Sequence, residues 1–258
     1  MSFAIATQAE VLKTKRTASV WLTVLGAGFI PALFCTGYLL KPEGAISQLK
    51  QAPWNVHFFW AWQALSTFLF PMYIILICSL IPQIEYKNNT WKQVFAAPQS
   101  VGTIFFSKFL TIHFMILFFF LLFNGFMLSV GVIVNLINSK FTFLHHSFSW
   151  RALLKLNAKT YISIFGISAI QYVLSLRFKN FIAPIGIGLA LLIGSIIAMQ
   201  LGWEHRFKLP YVHPSLTLQY LKLKHRSVLE NHEWNAIGFA LTFLLIGFLD
   251  MKLRKEKG

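Results

Sequence analysis

The chain has 258 residues, of which 56% are hydrophobic and only 12% charged, and its mean hydropathy is +0.62. Soluble domains carry roughly 25% charged residues, so a water-soluble globular class is excluded. The net charge of +15 lies near apolar stretches, where basic residues attract anionic lipid. The solvated basic face that nucleic-acid binding requires is missing.

Residues 1–19 read as an amphipathic segment. Ile5, Ala9 and Leu12 share one helical face, and Lys13, Lys15 and Arg16 crowd its end, a pattern that lies on a membrane surface. A cleaved signal peptide would begin with charge and a shorter apolar run. Six apolar stretches follow, at about residues 20–40, 58–81, 109–136, 161–176, 181–199 and 234–249. A spanning helix needs about 20 such residues. Strand-period alternation is absent, and a bilayer admits only helices or closed barrels. The expected fold is therefore an all-α integral membrane protein with six transmembrane helices, one transmembrane domain over residues 1–258. The fourth and sixth stretches are short and extend into their flanks, with Lys159 and Lys252 snorkelling to the headgroups. Cys35 and Cys78 fall within spans and read as packing residues, and Pro31 and Pro71 as places where a span bends.

An even span count puts both termini on one side. With the termini inside, the inner segments carry Lys13, Lys15, Arg16, Lys87, Lys92, Lys108, Arg177, Lys179, Lys252, Arg254, Lys255 and Lys257. The other basic residues are nearly as numerous, but Lys222, Lys224 and Arg226 sit mid-loop, whereas the inner charges crowd the span ends. Proximity favours termini inside.

The connections differ in character. Residues 41–57 are short. Residues 137–160 hold Phe141, Phe143, His145, His146, Phe148 and Trp150. The loop at 200–233 carries Pro210 and Pro214, then Leu216, Leu218, Leu221 and Leu223, which predict a short helix packed on the outer ends of the bundle. Between spans two and three lies a polar segment, 82–108, whose ordered pattern exceeds what a turn needs. Residues 85–95 predict a short amphipathic helix with Trp91, Val94 and Phe95 on its apolar edge. Pro98 stops it, and a second helical run over 101–108 enters the third span.

No nucleophile with an activating base and no His-Glu-x-x-His helix is present, so no catalytic residue is assigned. The outer histidines His145, His146, His205, His213, His225 and His232, with Glu204 and Glu233, match no metal-ligand spacing. His113, Asn124 and Gln171 are polar groups within spans, read as interhelical hydrogen-bonding residues with function as the alternative. Asn88-Asn89-Thr90 fits the glycosylation triplet by chance, since a cytoplasmic loop never meets the transferase. The phosphate-cradling Gly-x-x-x-x-Gly-Lys-Ser/Thr loop is lacking, because no glycine here precedes a lysine. ATP-driven transport would need another chain.

The run Glu85, Asn89-Thr90-Trp91-Lys92-Gln93, Pro98 and Ser107-Lys108 resembles the cytoplasmic signature of ABC type-2 transporter permeases, most closely the small six-span lantibiotic-immunity and bacitracin-resistance permeases. The turn from Ser175 through Arg177, Lys179 and Asn180 to Gly188 agrees, as does the basic start. The family often has glycine where Asn89 stands.

The resemblance implies two permease subunits above two ATPase cassettes, which hold the ATP and magnesium, and no cofactor in this chain. Residues 82–108 would form the coupling segment, with Glu85, Asn89, Thr90, Trp91, Lys92, Gln93 and Pro98 coupling to the ATPase. Arg177, Lys179 and Asn180 would form a second cytoplasmic turn. Residues 1–19 would be a connecting helix, and 200–233 would dip back towards the membrane as an outer loop. The implied setting is a bacterial cytoplasmic membrane with both termini inside, and the implied cargo an amphipathic peptide antibiotic. The competing reading is a membrane anchor or sensor that docks a cytoplasmic partner and moves nothing.

Overall fold

A computed structural model of the chain describes residues 2–15, 17–223 and 227–256, the last three by backbone alone. Arg16, Lys224, His225, Arg226 and Lys257, and the side chains of Arg254 and Lys255, lie outside what is described.

Helix α1 (Phe3–Thr14) is capped by Ser2, whose hydroxyl accepts from the Ile5 N–H, and it packs on α7 (Val101–Ile137). Its buried residues are Ala6, Thr7, Glu10 and Thr14, while Ile5 and Leu12 are exposed. The inward face of α1 is thus largely polar, and its apolar face points away from the protein.

Helix α2 (Ala18–Leu40) contains Pro31, and α3 (Pro42–Leu49) leads to α4 (Pro53–Ala64). A π-helical turn at Leu65–Leu69 joins α4 to α5 (Phe70–Asn88). Pro71 has no N–H for the carbonyl four residues back. The ladder widens just before it, with the Phe70 N–H bonding to the Leu65 carbonyl, which is how π-turns absorb such a defect.

The short α6 (Trp91–Ala96) precedes α7, whose 37 residues reach about 55 Å at 1.5 Å per residue. This helix is the spine of the bundle. Phe105, Phe119 and Phe123 on it are buried against Tyr172, Tyr73, Phe70 and Trp62. The Tyr73 hydroxyl links α2, α5 and α7, lying 2.9 Å from Thr23 Oγ1 and 3.1 Å from the Met115 carbonyl.

Helices α8 (Trp150–Ser163), α9 (Phe165–Arg177), α10 (Ile182–Gln200), α11 (His213–Lys222) and α12 (Asn231–Glu256) follow. Among the described residues five helical stretches are long and apolar enough to cross a bilayer: Ala18–Leu40, Pro53–Asn88, Val101–Ile137, Ile182–Gln200 and Asn231–Leu253. The fourth expected span, 161–176, is not one helix. It is divided at Ile164 (φ −88°, ψ −9°), beside Gly166, where a Cβ would stand 3.3 Å from both Phe239 and Pro210. Lys159 does not snorkel as expected. It is buried and its ammonium lies 2.9 Å from Glu233 Oε2, because a carboxylate with no exposure needs a counter-charge.

Together α8 and α9 carry the chain from the end holding Trp54 and Phe148 back to the end holding α1, Arg177 and Asp250. On α2, Trp21, Leu25, Phe29 and Leu33 recur every four residues and are all more than half exposed. Leu241 and Leu245 do the same on α12. Water would not tolerate apolar faces of that extent, so hydrocarbon surrounds the bundle.

Candidate functional site

The polar segment between α5 and α7 is where the fold departs from simple spanning helices. Helix α5 ends at Asn89, which adopts the left-handed conformation (φ 54°, ψ 32°). The Asn89 and Thr90 N–H groups bond back to the Tyr86 and Glu85 carbonyls at 3.3 and 3.0 Å. Asparagine is among the few residues that reach this conformation cheaply, which gives a physical reason for glycine in the same place. The expected single helix over 85–95 is therefore two pieces: the last turn of α5, then α6, separated by this cap. Ser100 caps α7 by accepting from the Thr103 N–H at 3.0 Å.

Beneath this segment four charged groups form a closed cluster. Lys108 Nζ lies 2.5 Å from Glu85 Oε1 and 2.7 Å from Glu10 Oε2. Lys13 Nζ lies 2.6 Å from Glu10 Oε1 and 3.0 Å from Glu85 Oε1. Side-chain exposure is 0% for Lys108, 1% for Glu85 and 9% for Glu10, against 37% for Lys13. The charges balance two against two, which makes burial tolerable. Burial opposes the charge on Lys13, but hydrogen bonds and attraction from Glu10 and Glu85 outweigh it and raise its pKa above the ordinary lysine value.

The cluster ties α1, the end of α5 and the start of α7 together, and it is roofed by α6. The Lys108 ammonium sits 5.5 Å from the centre of the Trp91 ring, within cation–π range. Trp91 also packs on Tyr86 and stacks on Phe95, so its ring serves the chain's own packing as well as a surface. The Tyr86 hydroxyl donates to the Leu176 carbonyl at 2.7 Å and Gln83 Nε2 to the Phe178 carbonyl at 3.4 Å. These bonds hold the turn after α9 against α5. In that turn Arg177 pairs with Asp250 at 2.5 Å, and Asn180 Oδ1 accepts from the Ile182 N–H at 2.9 Å.

A cleft of about 1220 Å³ opens between α5–α6 and α9–α12. Of the expected site residues, Glu85, Asn89, Trp91, Lys92 and Lys179 line it. Thr90, Gln93, Pro98, Arg177 and Asn180 do not, although Asp250, which holds Arg177, does.

The polar groups within the spans hydrogen-bond between helices. His113 Nδ1 lies 3.0 Å from the Tyr161 hydroxyl and Nε2 3.3 Å from Ser168 Oγ. Asn124 Nδ2 donates to Asn157 Oδ1 at 2.8 Å. Gln171 donates to the Pro184 carbonyl at 2.7 Å and accepts from the Tyr211 hydroxyl at 3.0 Å. At the opposite end His213 and His232 come together, ring centres 5.8 Å apart, whereas His145, His146 and His205 are exposed. Among the described residues no three His, Cys, Asp or Glu side chains gather as metal ligands would.

Sequence reasoning missed Glu10 as a site residue, along with the pair Lys159–Glu233 and the buried His57, which lies 2.9 Å from the Tyr38 hydroxyl. The signal for Glu10 was scarcity. With 8 acidic residues against 23 basic ones, an acid within an amphipathic lead-in has a cation to meet.

Residues 6–195 match the family described as ABC-2 family transporter protein. The chain belongs to the ABC-2 transporter family. It is accordingly a multi-pass membrane protein and the permease component of an ABC transporter, a role that implies an ABC ATPase partner and a lipid surround. The ABC-2 match takes in all four members of the charge cluster and ends before α11 and α12. No curated protein and no solved structure matches the chain.

Proposed function

We propose that this ABC-2 permease is a subunit of an ATP-driven exporter that clears amphipathic peptide antibiotics from the membrane, with a separate ATPase supplying the energy. In this reading α8 and α9 count as one crossing, giving six spans with both termini cytoplasmic. Two permease subunits face each other. Helix α1 is the connecting helix, with its apolar face, Ile5 and Leu12, towards the inner leaflet. The α5 terminus and α6 are the coupling element, which docks the ATPase along the cleft lined by Trp91, Lys92 and Lys179.

The observation that carries the coupling in this reading is the buried cluster of Glu10, Lys13, Glu85 and Lys108; the cargo rests on the resemblance. A push on α6 reaches α5, α7 and α1 together, because a buried charge network resists being pulled apart. ATP binding draws the cassettes together, the two α6 helices move with them, and the spans rock to open a path outward. The chain's own residues transmit force and shape the path, and the phosphate chemistry stays on the partner.

The test is ATP hydrolysis by the permease–ATPase complex in nanodiscs, with and without amphipathic peptides, alongside peptide resistance of cells lacking the chain. Peptide-stimulated hydrolysis and lost resistance are expected. Hydrolysis that no peptide alters, with resistance unchanged on deletion, would remove the antibiotic cargo.

A further inference from the structure

The end of the bundle opposite the charge cluster holds a groove of about 960 Å³ between the first turns of α4 and α8 and the last turns of α11. That volume lies at the upper end of the range for ligand sites, about 300–1,000 Å³. Its floor is aromatic and aliphatic. Trp54 and Phe58 pack on Phe148 with ring centres 5.4 and 5.5 Å apart, and Leu153, Leu156, Leu218 and Leu221 complete it. The indole N–H of Trp54 is already used, donating to the Phe143 carbonyl at 2.9 Å.

The charged residues of the lining are two lysines, Lys155 and Lys222, both exposed at the rim. Among the described residues no carboxylate lines the groove. The Lys222 ammonium lies 5.5 Å from the centre of the Phe59 ring, and neither lysine is in an ion pair with a described residue. Helix α4 opens the apolar stretch Pro53–Asn88, so the groove sits where the chain enters hydrocarbon, at headgroup depth.

An apolar floor, a cationic rim and interfacial depth together describe the complement of an anionic amphiphile. An extended peptide fits poorly, because its N–H and C=O groups would need partners, and among the described residues the uncharged polar side chains of the lining are Asn55 and Ser149 with the Trp60 indole, that of Trp54 being already bonded. A choline headgroup would place its cation between two lysines. We propose that this groove is a binding site for an anionic phospholipid, one acyl chain along Trp54, Phe58 and Phe148 and the phosphate group between Lys155 and Lys222. The inference stands apart from the cargo reading, since it involves neither the ATPase nor the peptide.

The test is native mass spectrometry of the full chain in a neutral detergent, titrated with phosphatidylglycerol or phosphatidylcholine of the same acyl chains. Basic residues at a membrane surface act additively on anionic lipid, and two of them correspond to a preference of about thirtyfold for phosphatidylglycerol. The double variant Lys155→Gln/Lys222→Gln should erase that preference while leaving phosphatidylcholine binding as it was, which also reports that the groove is intact. Lys140→Gln, an exposed lysine outside the lining, should change nothing. Ala152→Phe, which fills the groove while leaving both lysines in the chain, should weaken both lipids. Equal binding of the two lipids by the unaltered chain, an equal loss from Lys140→Gln, or full phosphatidylglycerol binding by Ala152→Phe would each overturn the proposal.

Discussion

Replacing Lys108 with methionine removes one cation from a cluster that is otherwise balanced. Two carboxylates, Glu10 and Glu85, then face a single ammonium, that of Lys13. Glu85 is 1% exposed and Lys13 37%, so the uncompensated charge falls at the buried end of the cluster. Breaking a buried ion pair by removing one partner costs about 3–5 kcal/mol. At roughly 2–4 °C per kcal/mol for chains of this size, Lys108→Met should lower the melting temperature by roughly 6–20 °C. The same arithmetic predicts rescue. Adding Glu85→Gln leaves one acid and one base, Glu10 and Lys13, already 2.6 Å apart, so the double variant should recover more than half of the loss. Thermal unfolding in nanodiscs reads both, and proteolysis at α1 reports whether that helix is released first. A single variant that melts within about 2 °C of the unaltered chain, or a double variant no better than the single, refutes the cluster as the structure's clamp.

Three further outcomes follow from other positions. His213 is held at a pKa of about 4, below its ordinary 6.5, by burial, partly offset by its bond to the Phe207 carbonyl. The unfolded state therefore binds a proton between pH 6.5 and 4 that the folded state refuses, so its stabilisation is complete above 6.5 and is lost as pH falls towards 4. Hydrogen exchange in α11 should rise over that window by up to about 3 kcal/mol of local opening, and a flat profile would contradict it. At Gly188 a Cβ would stand 2.4 Å from Gln171 Nε2, so Gly188→Ala should cost about 1–3 kcal/mol by overpacking. In a Gln171→Ala background the cost should shrink, and equal costs in the two backgrounds would separate the sites. Asn89→Gly should leave the cap at α5 intact, whereas Asn89→Val should cost about 1–2 kcal/mol, since a β-branched residue pays the full left-handed penalty. Equal melting temperatures for the two would show the turn is not under that constraint.

What the sequence displayed was whatever depends on local pattern. Five of the six apolar runs became helices of spanning length because hydrocarbon demands closed backbone hydrogen bonding from each one separately. Of the four leucines expected on a short packed helix, Leu216 and Leu218 are buried in α11 and Leu221 is half-buried, whereas Leu223 lies past its end and is exposed. What stayed hidden depends on distance in the chain. Glu10 meets Lys108 across 98 positions and Lys159 meets Glu233 across 74, and no window of sequence holds both partners. The break at Ile164 was hidden for the same reason, since Phe239 and Pro210, which crowd Gly166 beside it, arrive from elsewhere in the chain.

The placement of the charges also bears on how force would travel. A network worth several kcal/mol if broken, lying directly under a six-residue helix, makes α6 and the three helices beneath it one mechanical unit. The exposed member, Lys13, sits on α1, which presents its apolar face outward. In the proposed arrangement, with α1 lying in the lipid surface, a change in how it lies there would act on the same carboxylates that brace α5 and α7. Export driven from the ATPase and sensitivity to the inner leaflet would then share one set of residues, and Lys13→Gln offers a way to separate them. It removes the exposed cation, leaving Lys108 between both acids, so the clamp should weaken less than in Lys108→Met while α1 loosens from the bundle. Equal melting losses for Lys13→Gln and Lys108→Met would show that exposure does not grade the four charges, and the mechanical reading would lose its basis.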